Sequence, residues 1–190
     1  MIRNYTVRLL DAETRMPICC NEVHMVTNKV SNSNLLVLGA RPAQGKSLFA
    51  LSVTKDIAID HHIPTAYFSL QMREKQLLTR LVSQISQIDY RKIYDDKLET
   101  CEKGPYEATL NTLKDAPLHV DDTPGLKLSE FSSRVQRFVK ENDVKLVIID
   151  YIQLMSVDAT MKLSSREEEM PYIIRSLKEI AKELGITILA

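Results

Sequence analysis

Gly39-Ala40-Arg41-Pro42-Ala43-Gln44-Gly45-Lys46-Ser47 is the stretch whose reading decides the fold. Before it runs Leu35-Leu36-Val37-Leu38, an apolar run that reads as a buried strand. After it Leu48, Phe49, Leu51, Val53 and Ile57 recur at the spacing of one helix face. Strand, tight loop and Gly-Lys-Ser opening a helix form the context of a phosphate-binding P-loop. Backbone N–H groups of such a loop and of the helix N-terminus point at an anion, and the helix dipole reinforces them. On this reading Ala40, Arg41, Pro42, Ala43, Gln44, Gly45, Lys46, Ser47 and Leu48 cradle the phosphates of the ligand. Lys46 neutralises the β- and γ-phosphates, and the Ser47 hydroxyl joins the shell of a Mg²⁺ ion. The usual spacing wants glycine where Ala40 stands, and Gly39 sits one place early. Alanine serves there if its φ is negative. The plainer alternative is an ordinary strand–turn–helix junction that contains Gly-Lys-Ser.

The 190 residues are one domain's worth of chain, 44% hydrophobic and 26% charged, as in a globular protein able to bury a core. Lys+Arg and Asp+Glu are both 25, so no global basic field announces nucleic acid, and any such contact must come from local patches or assembly. Cys19, Cys20 and Cys101 have no metal-ligand spacing and read as reduced thiols of a cytosolic protein. His61 and His62 are adjacent and cannot share a metal; they read as a solvated helix end. No apolar run reaches membrane-span length, and the first residues are no signal peptide.

Residues 1–33 read as an arm or linker, with a helical turn near Val23 to Val26, and residues 34–190 as the folded domain. From Leu35 onward strands and helices alternate. Strands are expected at Leu35–Leu38, Thr65–Leu70, Leu118–Asp121, Lys145–Asp150 and Ile186–Ala190. Three apolar stripes mark helices. The first is Leu77, Leu78, Leu81, Val82, Ile85 and Ile88. The second is Phe131, Val135, Phe138 and Val139, with Ser129 as N-cap. The third runs from Met170 through Ile173, Ile174, Leu177, Ile180 and Ala181 to Leu184, closed by Gly185. Pro171 argues for a kink or a start near Met170. These stripes are core faces, and the alternation predicts an α/β fold with a parallel sheet and helices on both faces. Ligands of such sheets sit beyond the carboxyl ends of the strands.

Three polar clusters fall at those ends. Val147-Ile148-Ile149-Asp150 places a carboxylate where it can hold Mg²⁺. Tyr67-Phe68-Ser69-Leu70-Gln71-Met72 ends another strand at the same edge. Asp121 and Asp122, before Thr123-Pro124-Gly125, read as turn and cap residues.

Taken together, Ala40-Arg41-Pro42 with Gly45-Lys46-Ser47, the Phe68–Met72 segment, His119–Gly125 and Ile148–Met155 resemble signatures of the DnaB-type replicative DNA helicases. Arg166–Glu169, Ile174–Lys178 and Ala181–Leu184 continue the resemblance in order, which covers about Asn34 to Ala190. It implies a RecA-like P-loop NTPase core, truncated after the fifth strand, with that strand between the P-loop strand and the Asp150 strand. It also implies a hexameric ring motor moving on single-stranded DNA at a replication fork, with ATP between subunits and Mg²⁺ at Ser47 and Asp150.

The sequence departs from the family at Gln71, where family members carry the glutamate that activates the attacking water. Glutamine can hydrogen-bond a water but cannot take its proton at neutral pH. Nucleotide binding is therefore expected to persist and hydrolysis to be slow. Glu74, one helical turn on, is a conceivable substitute. The chain stops at Ala190, where family members continue into a sensor segment, a DNA-contacting loop and an arginine finger. Ile18–Val30 lacks the family's leader dipeptides. Two readings follow: the ATPase core of a replicative helicase, or a nucleotide-binding module deficient in hydrolysis that regulates a full-length partner.

Overall fold

The computed structural model describes residues 6–9, 34–41, 43–158 and 165–190. In chain order the strands are β1 (Thr6–Leu9), β2 (Leu35–Gly39), β3 (Thr65–Ser69), β4 (Leu118–Asp121), β5 (Leu146–Asp150) and β6 (Thr187–Leu189). The helices are α1 (Lys46–Thr54, continued by a π-helical Lys55–Asp60), α2 (Glu74–Ser86), α3 (Tyr90–Tyr94), α4 (Thr100–Asp115), α5 (Leu128–Asn142) and α6 (Arg166–Leu184).

The strands form one sheet in the order β1-β2-β6-β5-β3-β4, so β6 lies between β2 and β5 as expected. Every neighbouring pair from β2 to β4 is parallel. The departure is β1, an edge strand antiparallel to β2 with Thr6 opposite Gly39 and Leu9 opposite Leu36. It falls in the segment read as an arm, where four alternating residues are too short a signal to stand out. The helical turn expected near Val23 lies outside the described residues.

Because alternate strand residues point to opposite faces, the sheet makes two cores. On one face Ala66, Phe68, Val147, Ile149 and Ile188 meet Phe131 and Val135 of α5 and Ile173, Leu177 and Ala181 of α6. On the other Leu36, Tyr67, Leu146, Ile148 and Leu189 meet Phe49 and Leu51 of α1 and Leu77 and Leu81 of α2. The three apolar stripes are thus the faces that bury α2, α5 and α6.

Helix ends depart from the sequence reading in two places. Helix α5 starts at Leu128 with Lys127 in the cap position, not at Ser129. The Leu128 N–H donates to Ser156 O and the Ser156 N–H to Leu126 O. This pairing pins the chain just before the helix, and Ser129 Oγ donates instead to Asp158 at 2.8 Å. Helix α6 starts at Arg166, well before Pro171, with Ser165 accepting from the Glu168 N–H. Proline at the sixth helical position forgoes only the bond to the Glu167 carbonyl, and the N-cap together with the buried stripe outweighs that loss. The other end is as expected: Gly185 closes the helix at φ 65, a left-handed conformation natural to glycine.

Helices α3 and α4 have no counterpart among the apolar stripes. The buried residue of α4 is Thr109. The start of α4 is held by a reciprocal cap in which the Glu99 and Glu102 side chains each take a backbone N–H of the other's end. Lys92 reaches both carboxylates, at 2.6 and 2.8 Å.

Asp121 and Asp122 hold structure, as turn and cap residues. Asp122 Oδ2 accepts from the Glu74 N–H at the first residue of α2. Asp121 accepts from Arg134 at 2.5 Å and from the Thr123 N–H at 3.0 Å. Burial pushes the Asp121 carboxyl up, but the hydrogen bonds from Arg134 and Thr123 outweigh it and hold the group below the ordinary carboxylate value. A group depressed in the folded state stabilises above its unfolded pKa of about 3.9, and that contribution fades as pH falls through the folded value. Asp121→Asn is therefore expected to lower the urea midpoint at pH 7 and to lower it less at pH 3. An equal loss at both values would contradict the charge-assisted role.

Candidate functional site

The loop between β2 and α1 is shaped by its own sequence. Ala43 and Gly45 take left-handed φ values of 60 and 85, whereas Ala40 is not among the left-handed residues. The missing glycine at position 40 is thus tolerated, and the reversal is made at Ala43 and Gly45 instead. The Arg41 N–H donates to Gln44 Oε1 at 2.9 Å, and the Gln44 N–H donates back to Arg41 O at 3.3 Å. Lys46 Nζ folds over the loop to Ala40 O and Arg41 O, at 3.0 and 3.4 Å. The loop leads into the N-terminus of α1, whose first N–H groups have no partner within the helix.

The carboxyl ends of β3 and β5 supply the opposite wall. Ser69 pairs with Asp150, and the Leu70 N–H donates to Asp150 O at 3.0 Å. Ser69 Oγ donates to Met72 O at 2.7 Å and so turns the chain at Gln71. Asp150 itself is 4% exposed. Its Oδ2 accepts from the Tyr67 hydroxyl at 3.0 Å. Burial first, and then the Asp150 carboxylate, push the Tyr67 phenol well above its ordinary value, so it remains a donor. Among the described residues no cation pairs with Asp150.

Loop and strand ends enclose a cleft of about 700 Å³. Its walls include Ala40, Ala43, Gln44, Gly45, Lys46, Ser47, Leu48, Gln71 and Asp150, so the sequence-predicted residues converge with two exceptions. Arg41 is exposed and contributes to the loop through its backbone rather than to the cleft wall, because its N–H and carbonyl close the turn with Gln44 and Lys46. Pro42 lies outside the described residues. Glu74 is exposed at the first position of α2 and is not part of the wall.

Two wall or support residues went unrecognised in the sequence. Arg80 of α2 lines the cleft, and its guanidinium lies over the Tyr90 ring at 5.8 Å. It falls between Leu77 and Leu81, so periodicity marks it as outside the core stripe without revealing what it borders. Tyr67 is wholly buried beneath Asp150. Its apolar setting reads as core, and only the strand register discloses the contact.

The donor chemistry suits a hard divalent cation. Ser47 and Asp150 bring a hydroxyl and a carboxylate to one cleft, and magnesium favours few protein oxygens, the rest of its shell coming from phosphates and water. Asp150 is buried and takes its side-chain hydrogen bond from a neutral phenol, a setting in which a divalent cation would find an oxygen ligand. Among the described residues no group of three or more His, Cys, Asp or Glu could hold a metal alone. No helix among them is long and apolar enough to cross a membrane.

Comparison with known proteins agrees with this architecture. The model of the DnaB-like helicase C-terminal domain matches residues 16–190. The replicative DNA helicase DnaB of Leifsonia xyli subsp. xyli (strain CTCB07) is 33% identical over 177 residues, 93% of this chain and 38% of that protein. The DnaB of Geobacillus stearothermophilus is 30% identical over 177 residues, 93% of this chain and 39% of that protein. The chain thus spans about two fifths of the length of these relatives. Among solved structures, one described as an ATPase domain superposes with a TM-score of 0.83 at 25% identity, covering 92% of this chain and 62% of that one. A DnaB-like replicative helicase, studied with its interactions with primase, gives 0.83 at 25% identity over 95% of this chain and 43% of that one. The parallel sheet with its flanking helices is that of a RecA-like ATPase domain.

Proposed function

The chain belongs to the DnaB-like helicase C-terminal domain family, and from that premise we propose that it is the ATP-binding core of a replicative DNA helicase, with residues 34–190 as the ATPase unit and 1–33 as an arm. The observation that carries this reading is the convergence of Lys46, Ser47, Gln71 and Asp150 on one cleft beyond the carboxyl ends of parallel strands. Loop N–H groups and the α1 N-terminus receive the phosphates of ATP. Lys46 exchanges the Ala40 and Arg41 carbonyls for β- and γ-phosphate oxygens. Ser47 and Asp150 would hold Mg²⁺, which when bound offsets the charge of the phosphate oxygens. Gln71 orients a water by hydrogen bonding without accepting its proton. Single-stranded DNA is the polymer acted on, a ring of six copies the assembly, and the cytosol the compartment.

A second reading is favoured by Gln71, an amide in the cleft wall at the place where the family resemblance expects the general base. On it the chain binds ATP·Mg²⁺, turns it over very slowly, and acts as a regulatory partner of a full-length helicase. ATP affinity and hydrolysis, each measured with and without single-stranded DNA, separate the two. DNA-stimulated turnover supports the motor reading. Tight binding with negligible turnover supports the regulatory one. Absence of ATP binding in both conditions would contradict both.

A further inference from the structure

Tyr67 occupies the middle of β3 opposite Ile148, and by strand alternation its side chain shares a face with Asp150, two residues further along β5. The ring packs in the apolar set that contains Leu77, Leu81 and Ile148. A phenylalanine would fill that space, so packing alone does not account for the hydroxyl. Burying a hydroxyl is costly unless it is hydrogen-bonded, and the acceptor it finds is the carboxylate at the cleft wall.

We propose that Tyr67 is a positioning residue for magnesium: its hydroxyl fixes the rotation of the Asp150 carboxylate by holding Oδ2, and leaves the other oxygen to serve the cation. The inference rests on the nucleotide-site reading above and adds a residue to it. Groups that hold a metal-ligating side chain from behind typically matter about 10–100-fold in metal affinity. The effect of Tyr67 therefore belongs to the magnesium dependence of nucleotide binding, not to binding itself.

The test is a four-protein cycle of wild type, Tyr67→Phe, Asp150→Asn and the double variant. Affinity for a fluorescent ATP analogue is measured in EDTA and across a Mg²⁺ titration. Tyr67→Phe is expected to leave the EDTA affinity within about twofold and to raise the Mg²⁺ midpoint about 10–100-fold. In the Asp150→Asn background the midpoint is expected to be already raised, and Tyr67→Phe to move it no further. An unchanged midpoint in Tyr67→Phe overturns the proposal. An equal shift in both backgrounds overturns it too, because a merely structural loss does not pass through Asp150. If wild type binds no analogue at all, the nucleotide-site reading fails and this inference falls with it, an outcome distinct from the other two. Should Tyr67→Phe not fold, Tyr67→Leu suits the surrounding leucines and is held to the same midpoint shift.

Discussion

Gln71→Glu is expected to raise the steady-state rate of ATP hydrolysis by about 10²–10⁴-fold, the usual range for a positioned general base. That corresponds to roughly 3–5 kcal/mol of barrier. The substitution is nearly isosteric and lies on an exposed turn held by Ser69 and Leu70, so neither the fold nor ATP affinity should move appreciably. A carboxylate there can take a proton from the attacking water, whereas the amide cannot. Equal turnover of the two proteins would mean that position 71 is not where the water is activated. A wild-type rate already equal to that of ordinary motors would mean the same.

Phe131→Ala is expected to cost about 3–5 kcal/mol of stability, the usual range for truncating a buried aromatic. Phe131 is wholly buried and meets Phe68 edge-on, ring centroids 4.8 Å apart, where α5 rests on the sheet. Truncation removes that aromatic pair and leaves a cavity between rigid elements that can close only in part. Urea unfolding monitored by circular dichroism reads the loss directly. A cost below about 1 kcal/mol would show that α5 is not anchored there. Since β3 carries both Phe68 and the turn to Gln71, the variant should also bind nucleotide less well at temperatures where wild type is intact.

What could be seen in the sequence was whatever has a short period or a fixed spacing. Five strands, the three helices with apolar stripes and the loop at Gly45-Lys46-Ser47 announce themselves locally. Strand β1 did not, because four residues carry too little pattern. Nor did α4, which carries no buried apolar stripe and whose start is marked by a capping box and the Lys92 bridge. The start of α5 went astray because distant chain intervened, and that of α6 because the Ser165 cap outweighed Pro171. Ser156 pairs with the chain just before α5 and draws its first turn back to Leu128. At the cleft, Lys46, Ser47, Gln71 and Asp150 were legible because each lies at a strand end or loop of a recurring type. Tyr67 and Arg80 were not, since their meaning depends on register and on which side of α2 borders the cleft.

The central claim is that the cleft is a nucleotide·Mg²⁺ site, and the most direct measurement is calorimetric titration of ATP into wild type and Lys46→Ala with and without Mg²⁺. A charged hydrogen bond from Lys46 to a phosphate would be worth about 1.5–3 kcal/mol, or roughly 10–100-fold in affinity. The expected result is saturable binding by wild type, strengthened by Mg²⁺, and a loss of that order in Lys46→Ala with the fold intact. Equal ATP affinity in the two proteins, or no binding by wild type under either condition, would contradict it.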